Sequence, residues 1–552
     1  MSLLSISSMW QTNRTLFVLI CVLIIVIPFM VYYLIQAKKY HPKGLIAAAL
    51  SNMGERFGYY IMNAVLVLFI CSKFGIKDDV SGIIFAVFYF LIYVLALPGG
   101  IIADRTQNYK KTIIWGIIVM ALGYGVLSIP VFAVNNSMTI ALVLAIVALV
   151  LIACGNGLFK GNLQAIVGQL YDDFEAEAAK KGPEALAEAK SRRDSGFQIF
   201  YVFINIGGVI APFVAPLFRS WYLKTRGLFY NADLPRLCHK FVQGTMEGND
   251  LSNLEKLTSG VGADQLSGYC SNYLEVYNTG VHYSFIASVA AMVISLLIFL
   301  AVKNRLPNPV RKEKAQVQDY SLEERQSMAK EIKQRMYALY AVLGIAVFFW
   351  FSFHQNAQSL SIFARDFVDT SAIAPEILQC INPFFVIVLT PIIMLLFARL
   401  ATKGREVSTP RKIAIGMFIA ACAYIFLIVV ASIHNYPSGD VFKGFEEGVK
   451  ASMKASPMVL IVTYFFLTVA ELLISPLGLS FVSKIAPRHM VGICQGLWLS
   501  ATAIGNLFIF LGVKMLNSFP HQWMTWGVFA LFCLISMGIM IGMLKWLEKI
   551  TA

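Results

Sequence analysis

The chain has 552 residues, of which 58% are hydrophobic and only 14% carry a charge. That balance is typical of a protein with many membrane-spanning helices and excludes an ordinary soluble domain. The formal net charge of +14 does not indicate nucleic-acid binding, because no basic stretch alternates with aromatic residues that would stack on bases. No nucleophile, phosphate-loop or metal-ligand motif is present, so we expect neither an enzyme nor a bound metal or other cofactor.

The first apolar segment, Thr15 to Gln36, is long enough to cross a membrane. It lacks the shorter apolar region and the small-residue cleavage site of a signal peptide. Lys38, Lys39 and Lys43 follow it, and positive residues favour the inner side of a membrane. We therefore predict that residues 1–43 form an uncleaved extra helix with its N-terminus outside, followed by a short inside loop.

Twelve further apolar segments have the length of membrane-spanning helices. They lie at residues 44–71, 80–102, 112–133, 138–168, 196–217, 281–302, 337–360, 375–398, 412–433, 456–481, 490–515 and 521–544. Together with the first segment they predict an all-α polytopic membrane protein with thirteen helices. We place a six-helix bundle at 44–302, a charged cytoplasmic linker at 303–336 and a second six-helix bundle at 337–552.

The charges in the loops predict the orientation of the chain. When the loop before residue 44 is placed inside, the inside segments carry about twice as many Lys and Arg residues as the outside segments. This predicts a cytoplasmic C-terminus and a location in the inner or plasma membrane. The Ala- and charge-rich stretch 174–190 then lies inside, where it forms either an exposed helical hairpin or a solvated loop.

A long polar segment, residues 219–279, is placed outside by the same rule. It contains Cys238 and Cys270, and a disulfide between them is permitted on the oxidising side of a membrane. The alternative is a pair of free thiols, because the sequence does not give the separation of the two Cα atoms. We predict the disulfide.

Four charged residues stand well inside the predicted spans, away from the span ends. Glu55 and Arg56 lie in the span 44–71, Lys160 lies in the fourth span of the first bundle and Glu471 lies in the second bundle. Charges within the hydrocarbon region are costly and usually mark a substrate or ion pathway. The alternative is an ion pair that locks two helices together. Because the charges come from both halves of the chain, we expect a central site between two bundles.

The types of these residues suit a small zwitterion. Arg56 presents a planar fork that fits a carboxylate, and Lys160 adds a point charge. Glu471 is able to accept an ammonium group, so the three residues would orient a ligand with a carboxylate at one end and an amine at the other. His354 is the one histidine well inside a span. It titrates near neutrality when unperturbed, and a proton site and a neutral hydrogen-bonded residue are equally open readings.

Five stretches resemble one known family, the proton-dependent oligopeptide transporters of the major facilitator superfamily. NMGERFGYY, at residues 52–60, resembles the family signature E-x-x-E-R-F-x-Y-Y. Stretches similar to its fourth, fifth, seventh and tenth helices follow in the right order: GNGLFKGNLQAIVGQLY, RRDSGFQIFYVFINIGG, FFWFSFHQNAQSLSIFA and AELLISPLGLSFVSKIAP. The resemblance covers residues 44–549.

The resemblance implies uptake of di- and tripeptides driven by a proton gradient, with small peptides and protons as partners of the chain. The residues that would bind the carboxylate side of the peptide are Arg56, Tyr60, Tyr93, Lys160 and Asn205. Those that would bind the amine side and line a side-chain pocket are Asn382, Glu471 and Trp498. Glu55 would belong to the proton-coupling residues.

Two departures from the family pattern concern proton coupling. Asn52 stands where the signature has its first Glu, and His354 stands where a carboxylate is usual on the seventh helix. His354 can replace a carboxylate as a proton site but not as a salt-bridge partner of Arg56. These departures put the coupling in question more than the binding of peptide.

Two alternatives remain at this point. The first keeps the fold and changes the ligand to another anionic or peptide-like solute, with altered or absent proton coupling. The second, from another class, is a non-transporting membrane sensor or scaffold whose outside loop binds a partner. In every case we expect a monomer that sits in a lipid bilayer and does not bind nucleic acid.

Overall fold

The computed structural model describes residues 3–130, 137–258, 261–307, 322–405, 407–485 and 491–551. Within these ranges thirteen helical segments are long and apolar enough to cross a membrane, and each overlaps one of the thirteen predicted segments. The predicted fold class is therefore confirmed. The longest of these segments extend past the thickness of a bilayer, since about 20 helical residues are enough to span it.

We number the α-helices in chain order. The extra N-terminal helix and the first half of the chain contain α1 (Leu3–Tyr40), α2 (Leu45–Phe74), α3 (Asp78–Val94), α4 (Ala96–Thr106), α5 (Tyr109–Ser128), α6 (Ser137–Ala179), α7 (Pro183–Ile210), α8 (Val214–Thr225), α9 (Leu234–Val242), α10 (Asp250–Leu257) and α11 (Leu266–Val302).

The second half contains eleven more helices. They are α12 (Leu322–Phe353), α13 (Ser359–Phe367), α14 (Ile381–Thr402), α15 (Thr409–Ile433), α16 (Gly439–Lys443), α17 (Glu447–Met453), α18 (Met458–Ile485), α19 (Val491–Leu507), α20 (Phe510–Ser518), α21 (Gln522–Gly542) and α22 (Leu544–Thr551). Short 3-10 turns at Ala211–Phe213 and His354–Ala357 join consecutive helices into single spans, and a third, Pro375–Cys380, begins the span that α14 continues.

Glycines bring neighbouring helices into close contact in both halves. A Cβ added at Gly116 of α5 would lie 2.8 Å from the carbonyl oxygen of Gly155 in α6. In the second half, a Cβ at Gly505 of α19 would lie 2.7 Å from the carbonyl oxygen of Val347 in α12. Such backbone approaches are how membrane helices pack, because lipid supplies no hydrophobic drive for their association.

The extra helix α1 packs across the line where the two halves meet. Val26 is buried in a small cluster with Val202 and Ile206 of α7 and with Ile387 of α14. Nine large apolar side chains of α1 between Leu16 and Ile35 are exposed, as expected of a helix that faces lipid. The helix therefore covers a seam between the first and second halves.

The inner end, which we define by the α6–α7 turn, has the helical hairpin that the stretch 174–190 predicts. α6 continues to Ala179 and α7 begins at Pro183. Gly182 between them has a φ of 124°, which only glycine adopts readily. Across the hairpin, Arg193 donates to Asp172 at 2.7 Å.

The opposite end of the molecule, where residues 226–265 lie, is called the outer end here after the predicted orientation. It differs from the predicted loop. We predict a polar loop over 219–279, but α9, α10 and the first four turns of α11 lie there. α9 buries Leu234, Leu237 and Cys238, which are spaced as on one face of a helix. These helices are too short and too polar on their outer faces to produce the continuous apolar run that marks a membrane span.

Ion pairs join the two halves at the outer end. Arg219 of α8 donates to Glu376, and both side chains are almost completely buried. The sequence interpretation missed this pair, because it placed Arg219 just beyond a span and Glu376 at the start of one. Asp78 at the start of α3 binds Arg365 of α13 at 2.8 Å, and Lys443 of α16 also binds Asp78. The halves are therefore held together on this side.

Candidate functional site

A buried ion pair lies in the middle of α2. Arg56 donates from Nε to Glu55 Oε2 at 2.6 Å and from Nη2 to Glu55 Oε1 at 2.8 Å. Asn156 of α6 donates to the same Oε1 at 2.8 Å. The two charged residues are neighbours on one helix, so the pair does not lock two helices by itself. Asn156, which the sequence interpretation missed, connects Glu55 to α6.

Lys160 completes a cationic group in the first half. Its Nζ lies 4.3 Å from the centroid of the Tyr93 ring, and the charges of Arg56 and Glu55 both act on it. The guanidinium of Arg56 in turn lies 4.8 Å from the centroid of the Tyr59 ring. Two cations and one carboxylate leave this group with a net positive charge, which favours an incoming carboxylate.

Glu471 of α18 is the carboxylate of the second half. Asn382 of α14 donates to its Oε2 at 2.9 Å and also to Thr468 at 3.0 Å. Tyr201 of α7 donates to Glu471 Oε1 at 3.5 Å, across the seam between the halves. Tyr201 is a second residue that the sequence interpretation missed, because a tyrosine on an apolar helix carries no distinctive pattern.

His354 lies at the end of α12, where the helix tightens into a 3-10 turn. Its ring stacks on Trp350 with centroids 4.9 Å apart and meets Tyr89 edge-on at 5.1 Å. Nδ1 of His354 is hydrogen-bonded to Oδ1 of Asn506 in α19. The centroid of the Tyr93 ring lies 6.4 Å from that of His354, so the histidine of the second half adjoins the cationic group of the first.

Tyr60 and Asn205 lie beside the same seam. A Cβ added at Gly208 of α7 would lie 3.0 Å from the Tyr60 ring and 3.2 Å from Pro383 of α14, so Gly208 lets both halves approach Tyr60. Asn205 is buried, and its Nδ2 donates to the carbonyl oxygen of Tyr201 on its own helix. This bond leaves its amide oxygen as the group able to meet a ligand.

The remaining predicted site residues, Trp498 and Asn52, are also buried. Trp498 packs against α18, where its ring would clash with a Cβ at Gly478, two helical turns from Glu471. Trp498 and Trp350 are both buried, so neither ring faces lipid. Asn52 is buried one turn before Glu55 on α2.

Cys238 of α9 and Cys270 of α11 are both buried at the outer end. They are free thiols in this structure, and the two side chains contact each other. The contact provides the proximity that a disulfide needs, and the disulfide itself stays a prediction.

Buried charges of opposite sign therefore lie on the two sides of the boundary between two helical bundles, with Arg56 and Lys160 in the first half and Glu471 in the second. A polar ligand site at the interface of two bundles, within an all-helical membrane protein, defines a secondary transporter.

Comparison of the sequence with known families identifies which one. The sequence pattern described as the POT family matches residues 110–322 and 303–529, which is more than half of the chain. The chain belongs to the POT family, and it is a transporter rather than an enzyme. The charged signature on α2 precedes the matched residues and supports the assignment independently.

Bacterial transporters are among the relatives of the chain. It is 29% identical to the peptide transporter YePEPT of Yersinia enterocolitica over 85% of this chain and 86% of that protein. It is 27% identical to dipeptide and tripeptide permease B of Edwardsiella piscicida over 92% of this chain and 96% of that protein.

The fold is similar to solved POT structures. A crystal structure of a peptide transporter POT in complex with sulfate matches with a TM-score of 0.64 and 21% identity, over 92% of this chain and 96% of that chain. A POT family transporter in complex with a thioalcohol-conjugated peptide matches with a TM-score of 0.65 and 20% identity, over 94% and 98% of the two chains.

Proposed function

We propose that the protein takes up di- and tripeptides together with protons, by alternating access of one central site to the two sides of the membrane. The observation that carries this proposal is the opposite charge of the two halves beside their seam, with Arg56 and Lys160 in the first half and Glu471 in the second. A free short peptide has a carboxylate at one end and an ammonium group at the other. A site with both complementary charges recognises the two ends at once.

The same observation favours a zwitterion over a simple anion. An anion would pair with Arg56 and Lys160 and leave Glu471 buried beside neutral partners only, which costs desolvation energy without a compensating charge. The names of the relatives, a peptide transporter and a dipeptide and tripeptide permease, support the same substrate class.

We assign the predicted residues to the two ends of the peptide. The carboxylate binds Arg56 and Lys160, with Tyr60, Tyr93 and Asn205 as polar neighbours. The ammonium group binds Glu471, which Asn382 orients by its hydrogen bond. Trp498 lines the space for a side chain beside α18.

The Glu55–Arg56 pair links peptide binding to proton binding. When the carboxylate of the peptide takes the guanidinium of Arg56, Glu55 loses its ionic partner. A buried carboxylate without a cation binds a proton more readily. Peptide and proton then load together, which is co-transport by linked binding.

His354 supplies a second proton site, in place of the usual carboxylate on this helix. Lys160 and His354 both lie beside the Tyr93 ring, so a charge on Lys160 and a proton on His354 repel each other. A peptide carboxylate bound at Lys160 offsets that charge, so peptide binding favours the protonated imidazole as well. We expect uptake to depend on pH between about 5 and 8, and we expect His354→Gln to move or flatten that dependence.

We also propose the setting in which this cycle runs. The protein is a monomer in the lipid bilayer of the inner or plasma membrane, with the N-terminus outside and the C-terminus in the cytoplasm. The excess of Lys and Arg on the α6–α7 side supports this orientation.

Competition by blocked peptides tests the two-ended recognition. We expect a free dipeptide to inhibit uptake of a labelled dipeptide, and we expect both its N-acetyl form and its C-terminal amide to inhibit at least tenfold less well. Equal inhibition by the N-acetyl form would refute the role of Glu471. Inhibition by simple carboxylates but not by free dipeptides would favour an anion transporter, and no uptake at all would favour a sensor.

A further inference from the structure

We propose that Asn506 is a positioning residue for proton coupling: its amide oxygen holds the hydrogen of His354 on Nδ1, so that Nε2 is the atom that binds and releases the transported proton. The proposal rests on the role of His354 proposed above. Neither the family motifs nor the charge pattern points to Asn506.

The chemistry of the contact fixes the tautomer. An amide oxygen only accepts hydrogen bonds, so Nδ1 of His354 must carry a hydrogen to bond with Oδ1 of Asn506. A neutral imidazole with its hydrogen on Nδ1 has a lone pair on Nε2, and that lone pair is where the next proton binds. Protonation at Nε2 strengthens the existing bond at Nδ1, because a charged donor bonds more strongly than a neutral one.

Asn506 is poorly explained as a purely structural residue. It is completely buried, and its Nδ2 has no hydrogen-bond partner within the described residues. An unsatisfied buried donor is unfavourable, so an apolar residue of the same size would stabilise the fold better. The bond to His354 is the interaction that the buried amide gains. Gly505, by bringing α19 against the backbone of α12, sets the distance between the two side chains.

The surroundings of His354 determine how strongly this bond acts. The groups that face its ring are Tyr89 and Tyr93 from α3, and the charge of Lys160 from α6 acts on it. Within the described part of the chain, α19 contributes Asn506, and α18 contributes Tyr464, whose hydroxyl donates to the carbonyl oxygen of Asn356. α21 places Cys533 against Ser352, two residues before His354. No carboxylate is among these groups, so the amide oxygen is the acceptor that stabilises the imidazolium.

The test is the pH profile of dipeptide uptake, with KM and Vmax measured separately for Asn506→Asp and Asn506→Leu. An anionic acceptor raises the proton affinity of His354, so Asn506→Asp should shift the midpoint by about one pH unit towards alkaline pH. Asn506→Leu has no acceptor and should shift it towards acid pH. Neither shift should occur in the His354→Gln background, which separates coupling through His354 from a general disturbance.

Peptide counterflow without a pH gradient shows whether each variant is folded and binds substrate. A shift of the pH profile that persists in the His354→Gln background would overturn the proposal. A rise in KM with an unchanged pH profile would also overturn it, because Asn506 would then be a peptide ligand. If His354→Gln changes the profile and the Asn506 variants do not, the positioning role alone fails. If His354→Gln changes nothing, the proposed coupling role of His354 fails first.

A second inference rests on different contacts. We infer that α9 and α10 of the first half and residues 439–453 of the second half form an outer clasp, which must separate whenever the site opens to the outside. Asn253 of α10 is central to it. Its Nδ2 donates to the carbonyl oxygen of Phe445 at 2.9 Å, and its Oδ1 accepts from the backbone nitrogen of Glu447 at 3.0 Å.

Charged and polar contacts surround Asn253. Lys256 lies 2.9 Å from Glu446, and Asn249 donates to the carbonyl oxygen of Gly444 at 3.2 Å. Buried Lys450 lies 3.8 Å from Asp233. The clasp lies beside the Asp78 ion pairs, because Lys443 of α16 belongs to the clasp segment and binds Asp78. It adds a second set of contacts between the same two halves.

Asp233 of the clasp stays ionised over the pH range of transport. Burial raises the pKa of Asp233, but Lys450 and Lys454 outweigh it and hold that pKa below its usual range. A carboxyl group with a lowered pKa contributes its stabilisation above its ordinary pKa and loses it only as the pH falls through the lowered value. The contribution of Asp233 is therefore constant between pH 5 and 8, so protonation of Asp233 does not release the clasp.

Cross-linking tests the clasp. Lys256 and Glu446 are both half-exposed, so Lys256→Cys with Glu446→Cys should fold normally. A short, cleavable, membrane-impermeant bifunctional thiol reagent should lower uptake at least tenfold in the double variant, and reduction should restore it. The single variants and the unmutated protein, treated in the same way, control for Cys238 and Cys270. Full uptake by protein shown to be cross-linked would overturn the inference.

Discussion

Among single residues, Glu55 and Arg56 are the pair whose separation is expected to destabilise the fold most. Each needs the other, because a buried charge without its partner destabilises a protein by about 3–5 kcal/mol. Asn156 satisfies a further lone pair of Glu55 at 2.8 Å. The Glu55 carboxylate therefore has both a cation and an amide as partners when no ligand is bound. A ligand that competes for the Arg56 guanidinium removes the cation from this arrangement.

We predict that Arg56→Ala abolishes dipeptide uptake and lowers the melting temperature. The substitution removes the cation that binds the peptide carboxylate, and it leaves Glu55 buried without its ionic partner. Adding Glu55→Gln should recover the stability but not the uptake. Arg226→Ala, at an exposed position of the outer end, is the matched control and should change neither. Uptake assays and thermal unfolding measure the two effects, and normal uptake by Arg56→Ala would remove Arg56 from the site.

Without the family resemblance, which supplied neutral residues such as Tyr60 and Asn382, site residues were predictable from the sequence only where a charge interrupts an apolar run. Glu471 and Lys160 are of this kind, and the structure brings them to the same seam. Tyr201 and Asn506 are not, because a neutral polar side chain on a membrane helix usually bonds to its neighbours. Their partners lie 270 and 152 residues away in the chain, and no local pattern encodes such contacts.

At the level of helices, α1 was predictable in position but not in its packing. Its length and apolar composition give the span, whereas the contact of Val26 with Ile387 depends on the tertiary arrangement.

We predict that the purified protein retains residues 15–36. N-terminal sequencing or intact-mass measurement checks this, and a mature N-terminus near residue 37 would contradict it.

The short helices of the outer end were not predictable, because α9 and α10 are amphipathic and too short to form an apolar run. Their burial brings Cys238 against Cys270. We predict that these two residues form a disulfide in the mature protein, because the proposed orientation places the segment on the oxidising side. Mass spectrometry of a non-reduced digest should find the linked peptides, and two alkylated free thiols would exclude the bond.

For the molecule as a whole, the outer end is closed. The Arg219–Glu376 pair, the Asp78 ion pairs and the outer clasp all connect the first half to the second. The signature motifs predict two bundles and a site between them, but not this closure, since its charges lie at the ends of spans and in loops. Opening towards the outside requires these contacts to break together, which fits a rocking motion of two bundles rather than a local gate.

The measurement that tests the account most directly is dipeptide accumulation in proteoliposomes with and without an imposed pH gradient. The unmutated protein should concentrate the peptide against its own gradient only when protons can flow in the same direction. Glu55→Gln should lose this accumulation and keep peptide counterflow, because the variant binds peptide but has no proton site beside Arg56. Accumulation by Glu55→Gln under the gradient, or equal uptake by the unmutated protein with and without it, would contradict coupled transport through this site.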